Sequence, residues 1–173
     1  SLTLDRLLIR NIFSQITHSD YLIYQINLSD VSIEDSGFIN FLKTELAQYS
    51  ILPATICFSI PESVAIANSK QIARFVTEIK KIGFLFALTQ VSHQVIDNNY
   101  LTRISIDYLQ VDNKLATELT ENCPNQRIAN FKKSLENNKI QIIYFSQKSD
   151  RNSFANKVLL SDLSNIPKAK VLN

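Results

Sequence analysis

Polar side chains follow five short apolar runs of this sequence, at the points where buried strands would end. Parallel α/β proteins place their catalytic groups at the carboxyl ends of strands, so these side chains are the first candidates for chemistry. They are Asn27 and Ser29, Ser59 and Glu62, Thr89 and Gln90, Gln110 and Asp112, and finally Lys148 in the stretch that begins at the apolar Phe145. Amides and hydroxyls dominate this set, and acids are scarce in it.

Carboxylates decide which chemistry such a set can support. Mg²⁺ binds hard oxygen ligands, usually carboxylates, and a two-metal site needs several of them. Only Glu62 and Asp112 qualify here, and Lys148 adds a positive charge nearby. The residues alone therefore do not predict a metal hydrolase. Asn27, Ser29 and Asp112 are also typical of turns and helix caps that follow strands, and this simpler interpretation stays open.

Alternating strands and helices must position these residues. Short apolar runs predict five parallel strands, at residues 22–26, 56–58, 84–88, 108–111 and 140–144, with helical stripes between them. Gly83 is predicted to cap the helix before the third strand. Such β/α units build either an open doubly wound sheet or a (β/α)₈ barrel. A full barrel typically needs about 250 residues, more than this chain has, and the pattern does not choose between the two.

Composition limits the classes of function. The chain has 173 residues, of which 45% are hydrophobic and 20% charged, and its net charge is +2. We therefore expect one domain, 1–173, that does not bind nucleic acid. The two glycines are too few for a Walker A loop or a dinucleotide fingerprint, and no apolar run is long enough for insertion into a membrane. Cys57 lies in an apolar run and is predicted to be a buried free thiol, which fits a reducing, cytoplasmic location.

Five segments resemble, in order and with matching spacing, the motifs of the EAL domain, a family of bacterial cyclic di-GMP phosphodiesterases. They are "YQINLS", "ICFSIPES", "IGFLFALTQVSHQVIDNNYL", "ISIDYLQVD" and "IIYFSQKS", within residues 2–149. The resemblance implies an α/β fold of the TIM-barrel type, incomplete or modified. The chain begins after the strand that carries the family's Glu-x-Leu-x-Arg motif. Either a preceding segment belongs to a longer protein or the domain lacks that strand.

The resemblance also implies that the family's metal site has been lost. Ser59 stands at the position of a metal-binding Glu, and Thr89-Gln90 at the position of an Asp-Asp pair. Gln110 replaces a Lys, and two glutamates are replaced as well, by Phe145 and Lys148. We therefore expect neither a metal nor a cofactor. The residues left as a vestigial ligand site are Asn27, Glu62, Gln90, Gln110, Asp112 and Lys148.

Two functions fit a degenerate EAL domain of this kind. The first is a catalytically inactive regulatory module that acts through a protein partner or a neighbouring domain. The second is a receptor that binds cyclic di-GMP, if weakly, without hydrolysing it. Leu4, Leu7 and Leu8 belong to an apolar stripe of the first helix that would lose its cover if the first strand were absent, so we expect association, for instance as a homodimer. His93 is interpreted as a polar loop residue.

Overall fold

A computed structural model describes residues 1–16, 23–97, 99–120, 125–144 and 169–171, with residues 99–100, 144 and 169–171 described by their backbone. The strands in these ranges are β1 (Ile23–Asn27), β2 (Ile56–Pro61), β3 (Leu85–Val91), β4 (Tyr108–Val111), β5 (Gln141–Tyr144) and β6 (Ala169–Val171). The longer helices are α1 (Leu2–Gln15), α3 (Phe38–Tyr49), α5 (Ser69–Ile82), α7 (Asn113–Thr120) and α8 (Gln126–Asn137). The shorter helices are α2 (Asp30–Glu34), α4 (Glu62–Ala67) and α6 (Gln94–Asp97), and two 3₁₀ turns span Pro53–Thr55 and Asn99–Thr102.

All six strands form one parallel sheet, in the order β5-β4-β3-β2-β1-β6. The five strands predicted from the sequence are therefore confirmed, side by side and parallel. The sixth strand, β6, pairs with β1 on the side away from β2 and sets Tyr24 opposite Lys170. Residues 23–25 of β1 are thus paired with a strand on both sides, with β2 on one and β6 on the other.

Helices cover one face of the sheet. Alternate strand side chains point to this face, so Ile26, Phe58 and Phe86 are fully buried in a single hydrophobic core shared with the helices. The rings of Phe58 and Phe84 meet edge to face, with 4.9 Å between their centroids. Each buried side chain of this size contributes about 1.5–3 kcal/mol, so this layer holds the strands in register. Gly83 ends α5 in the left-handed conformation with φ +104°, which confirms the predicted cap.

The opposite face of the sheet changes character along its strands. In β1 to β4, an apolar residue near the amino end is followed on the same face by a polar residue near the carboxyl end. Cys57 and Tyr108 belong to a small apolar cluster at the amino end, and Ser59 and Gln110 follow them. Cys57 is a free, buried thiol as predicted, and burial raises its pKa well above the ordinary value.

Helix α1 packs on the core through one side and leaves apolar residues on the other. Ile9 and Phe13 are buried, and Leu8 packs against the same core. Leu4 and Leu7, by contrast, are 63% and 57% exposed. The predicted exposure of this helix therefore holds for Leu4 and Leu7 and not for Leu8. None of the helices in the described ranges has both the length and the apolar character that crossing a membrane requires.

Tyr108 gives the fold a predicted sensitivity to alkali. Burial raises the pKa of its hydroxyl from 10 to about 12, with a smaller contribution from the neighbouring Cys57 and Asp107. The unfolded chain ionises at the lower pH, so the stability linked to this neutral hydroxyl is complete below pH 10 and is lost as the pH rises to about 12. We expect the free energy of unfolding, measured in urea, to fall less steeply with pH across this interval in Tyr108→Phe than in the unmodified chain. Equal slopes in Tyr108→Phe and in a control variant, Tyr49→Phe, would refute this linkage.

Candidate functional site

The carboxyl ends of β1 and β2 are joined by a chain of neutral hydrogen bonds. The parallel register sets Asn27 opposite Ser59. Gln25 Nε2 donates to Ser59 Oγ over 3.0 Å, and Ser59 Oγ donates to Asn27 Oδ1 over 2.5 Å. Ser59 is fully buried, whereas Asn27 reaches the surface. The amide oxygen of Asn27, the atom that could act as a ligand, is therefore already an acceptor within the protein.

Thr89 and Gln90 lie on a bulge inside β3. The sequence predicted that the strand ends before them, but β3 continues to Val91, and its register against β4 shifts between Leu88 and Val91. Gln90 adopts φ +55°, a left-handed conformation that costs a non-glycine residue about 1–2 kcal/mol. The bulge turns Gln90 out to solvent while Thr89 stays buried. Of the two side chains, only the amide of Gln90 can meet a ligand without rearrangement.

Gln110 and Asp112 lie close in sequence but in different surroundings. Gln110 is in β4 and is buried, 5% exposed. Asp112 follows the strand and is exposed, and its Oδ1 accepts from the amide of Leu115 over 2.7 Å. This is the geometry of a helix N-cap, here on α7. The simpler interpretation of Asp112 as a cap is confirmed.

Glu62 connects the loop after β3 to α4, the helix that follows β2, through hydrogen bonds. It begins α4 and is only 4% exposed. Its Oε2 accepts from both the amide and the hydroxyl of Ser92, over 2.9 and 3.0 Å. His93, the next residue, pairs through Nε2 with Glu118 of α7 over 2.8 Å. The loop after β3 is thus held by carboxylates from two different helices, Glu62 of α4 and Glu118 of α7.

The carboxylate of Asp5 in α1 accepts the hydrogen bonds that hold the turn after Asn27. Its Oδ2 accepts from the amide and hydroxyl of Ser29 and from the hydroxyl of Ser32, over 2.9, 2.7 and 2.6 Å. Ser29 occupies the N-cap position of α2, yet its hydroxyl is committed to Asp5 instead of capping the helix. Neither Asp5 nor Glu118 was identified as important from the sequence. The Asp5–Ser29 and His93–Glu118 pairs each join residues more than twenty positions apart, so local sequence patterns do not predict them. The one available signal was Asp5 itself, an acid within an apolar helical stripe.

These contacts define what the strand ends can do chemically. Asn27 and Ser59 are brought together, while Glu62 and Asp112 are each occupied by a structural hydrogen bond. Lys148, the remaining predicted site residue, lies outside the described residues. Within the described ranges, no three His, Cys, Asp or Glu side chains gather as a metal site would require. The arrangement favours hydrogen bonding by neutral amides and hydroxyls over metal coordination.

Comparisons with known proteins agree on one family. The model of the EAL domain matches residues 1–144. Cyclic di-GMP phosphodiesterase PdeB of Shewanella oneidensis is 27% identical over 103 residues, which cover 60% of this chain and 12% of that protein. The chain therefore spans about an eighth of the length of this curated relative.

Solved EAL domains share the fold. The FimX EAL domain of Xanthomonas citri, in complex with cyclic di-GMP, superposes with a TM-score of 0.70 at 15% identity, covering 86% of this chain and 61% of that one. The FimX EAL domain of Pseudomonas aeruginosa, bound to cyclic di-GMP, gives 0.68 at 20% identity, covering 84% and 60%. The parallel α/β sheet is thus the TIM-barrel-like fold of EAL domains, as the resemblance in sequence implied.

Proposed function

The chain belongs to the EAL domain family, and on that premise we propose that it is a catalytically inactive regulatory module of cyclic di-GMP signalling. In this proposal residues 1–173 form one degenerate domain that acts through a protein partner or through a neighbouring domain of a longer protein. The observation that carries the proposal is the neutral hydrogen-bond chain from Gln25 through Ser59 to Asn27 at the strand ends.

The chemistry of that chain argues against a metal. A hydrolytic metal site must supply several negative oxygens, both to offset the charge of the ions and to bridge them. Ser59, Thr89 and Gln90 offer neutral groups at the strand ends. Ser59 and Thr89 are also buried, 0% and 9% exposed, and Mg²⁺ usually keeps several bound waters that these positions would have to admit.

The two remaining acids are needed where they are. Removing Glu62 from Ser92 would release the loop after β3, and removing Asp112 from Leu115 would uncap α7. Losing such a cap costs about 1 kcal/mol, and breaking a hydrogen bond to a buried charge costs about 1.5–3 kcal/mol. A metal that drew both carboxylates to itself would therefore destabilise the fold that holds them.

An interaction role has support from α1. Leu4 and Leu7 are one turn apart on the exposed side of the helix, and both are more than half exposed. Exposed apolar side chains that adjoin one another mark interaction surfaces more often than isolated ones do. We propose that this side of α1 is covered by the partner or by the neighbouring domain.

The second candidate is a receptor that binds cyclic di-GMP without cleaving it. The solved FimX EAL domains that share this fold hold that dinucleotide, which favours this alternative. In this chain the exposed amides of Asn27 and Gln90 are the groups with the best access to such a ligand. Glu62, Gln110 and Asp112 would contribute less, because each is buried or already engaged.

Calorimetry tests the proposal and separates the two candidates. We expect no saturable heat when Mg²⁺ or Mn²⁺ is titrated into the chain, because the strand ends lack the carboxylates that would bind them. A regulatory module without a ligand gives no saturable heat with cyclic di-GMP either. Saturable binding of the dinucleotide that is weakened in Gln90→Ala, and kept in the control Asn40→Ala on α3, would instead establish the receptor. Saturable binding of a divalent metal at the strand ends would overturn the proposal of an inactive module.

A further inference from the structure

A groove lies between α8 on one side and α6 with the 3₁₀ turn at Asn99–Thr102 on the other. Its volume is about 250 Å³. Val95 and Phe131 form an apolar floor and are almost fully buried, and Ile96 and Leu101 extend this apolar wall towards the rim. The groove is smaller than the roughly 300–1,000 Å³ that is usual for drug-sized ligands, so an occupant has to be small.

The opposite wall is polar and offers mainly hydrogen-bond donors. Arg127, Asn130 and Ser134 follow one another along one side of α8, at spacings of three and four residues. Asn130 Oδ1 already accepts from Gln126 over 3.0 Å, which leaves the NH₂ group of Asn130 to donate. The guanidinium of Arg127 donates to Asp97 at the rim and has further N–H groups to offer. The wall thus presents a positive charge and donors beside an apolar floor.

From this geometry we propose that the groove binds a small organic acid with an aromatic or branched aliphatic body. The body packs on Val95 and Phe131, and the carboxylate accepts hydrogen bonds from Arg127 and from the donors of α8. A guanidinium binds a carboxylate through paired N–H groups, which favours an acid over a neutral molecule of the same shape. Asp97 then acts as a competitor, because its carboxylate pairs with the same guanidinium. This inference goes beyond the proposed function and does not rest on it, because the groove shares none of the strand-end residues.

Titration with a minimal probe tests the site. Phenylpropionate is added to the whole chain while amide chemical shifts are followed by NMR. Phenylpropanol serves as the neutral control of the same shape, and acetate as the control that has the carboxylate but lacks the aromatic group. We expect saturable shifts in segment 94–102 and in α8, with the acid bound at least about tenfold more tightly than the alcohol. Acetate is expected to give no saturable shifts. Absence of saturation at millimolar phenylpropionate, or equal affinity for acid and alcohol, would overturn the proposal.

Two variants separate binding from mere structural support. Arg127→Gln removes the cation and is expected to abolish the preference for acid over alcohol. Asp97→Asn removes the competitor and is expected to tighten phenylpropionate binding, whereas a role of the Arg127–Asp97 pair in holding the groove together would make both variants weaken it. Arg74→Gln, on the exposed side of α5, is the matched control and is expected to change nothing. If the amide chemical shifts of the groove residues change with protein concentration, and the molecular mass in solution rises with them, a second copy of the chain covers this face. That result would also overturn the proposal.

Discussion

Replacing Asp107 with alanine is expected to lower the free energy of unfolding by about 2–4 kcal/mol. Both carboxylate oxygens of Asp107 accept from Lys80 Nζ over 2.6 Å, and Oδ2 also accepts from the amide of Phe86 over 2.7 Å. The carboxylate thus links α5 to β3 from a position just before β4, where the backbone of Asp107 also bonds to Phe86 and Gln141. Alanine removes these charge-assisted hydrogen bonds and leaves the Phe86 amide without its acceptor.

Urea unfolding of three variants measures this contribution. Asp107→Asn keeps an acceptor for the Phe86 amide and removes the charge, so we expect a loss between that of the alanine variant and zero. Glu78→Gln is the matched control, because its partner Lys81 is on the same helix and both side chains are largely exposed, at 48% and 66%. Exposed pairs contribute little to stability, so this variant should unfold as the unmodified chain does. An alanine variant as stable as this control would show that Asp107 does not hold the strands together.

The parallel sheet was predictable because local patterns determine it. Apolar runs of four to eight residues separated by helical stripes can be buried only when helices cover the strands, and β1 to β5 follow this rule. Gly83 was equally predictable, since a left-handed residue after a helix with lysines in its last turn is most often glycine. The place of β6 beside β1 depends on a pairing between residues more than 140 positions apart, and short-range periodicity holds no information about it.

The candidate site was predictable in its residue types but not in its connections. The scarcity of acids at the strand ends is visible in the sequence, and so is the capping role of Asp112. The bulge at Gln90 was not, because the apolar run ends at Leu88 and the polar pair after it was interpreted as the end of the strand. The partners of Asp5, Glu62 and His93 were also missed, since each comes from a different element of the fold. Contacts of this kind follow from tertiary packing and not from local propensity.

We expect the chain to leave cyclic di-GMP intact, and this is the largest difference we predict from its active relatives. Hydrolysis of a phosphodiester through two metals depends on carboxylates that hold both ions and position the attacking water. At the strand ends Ser59 is buried in a neutral hydrogen-bond chain, Thr89 is also buried, and Gln90 carries an amide. The loss of such a site removes both the metal-activated water and the stabilisation of charge in the transition state. We therefore expect no measurable turnover, as opposed to a reduced rate.

The most direct test of an inactive module is a chromatographic assay for the linear dinucleotide. The chain is incubated with cyclic di-GMP and either Mg²⁺ or Mn²⁺, in a preparation free of other phosphodiesterases, next to an active EAL phosphodiesterase as the positive control. Our account predicts that the linear product stays at the level of the protein-free reaction with both metals, while the control converts its substrate. Formation of linear product by this chain that depends on the metal and is abolished by a chelator would contradict it.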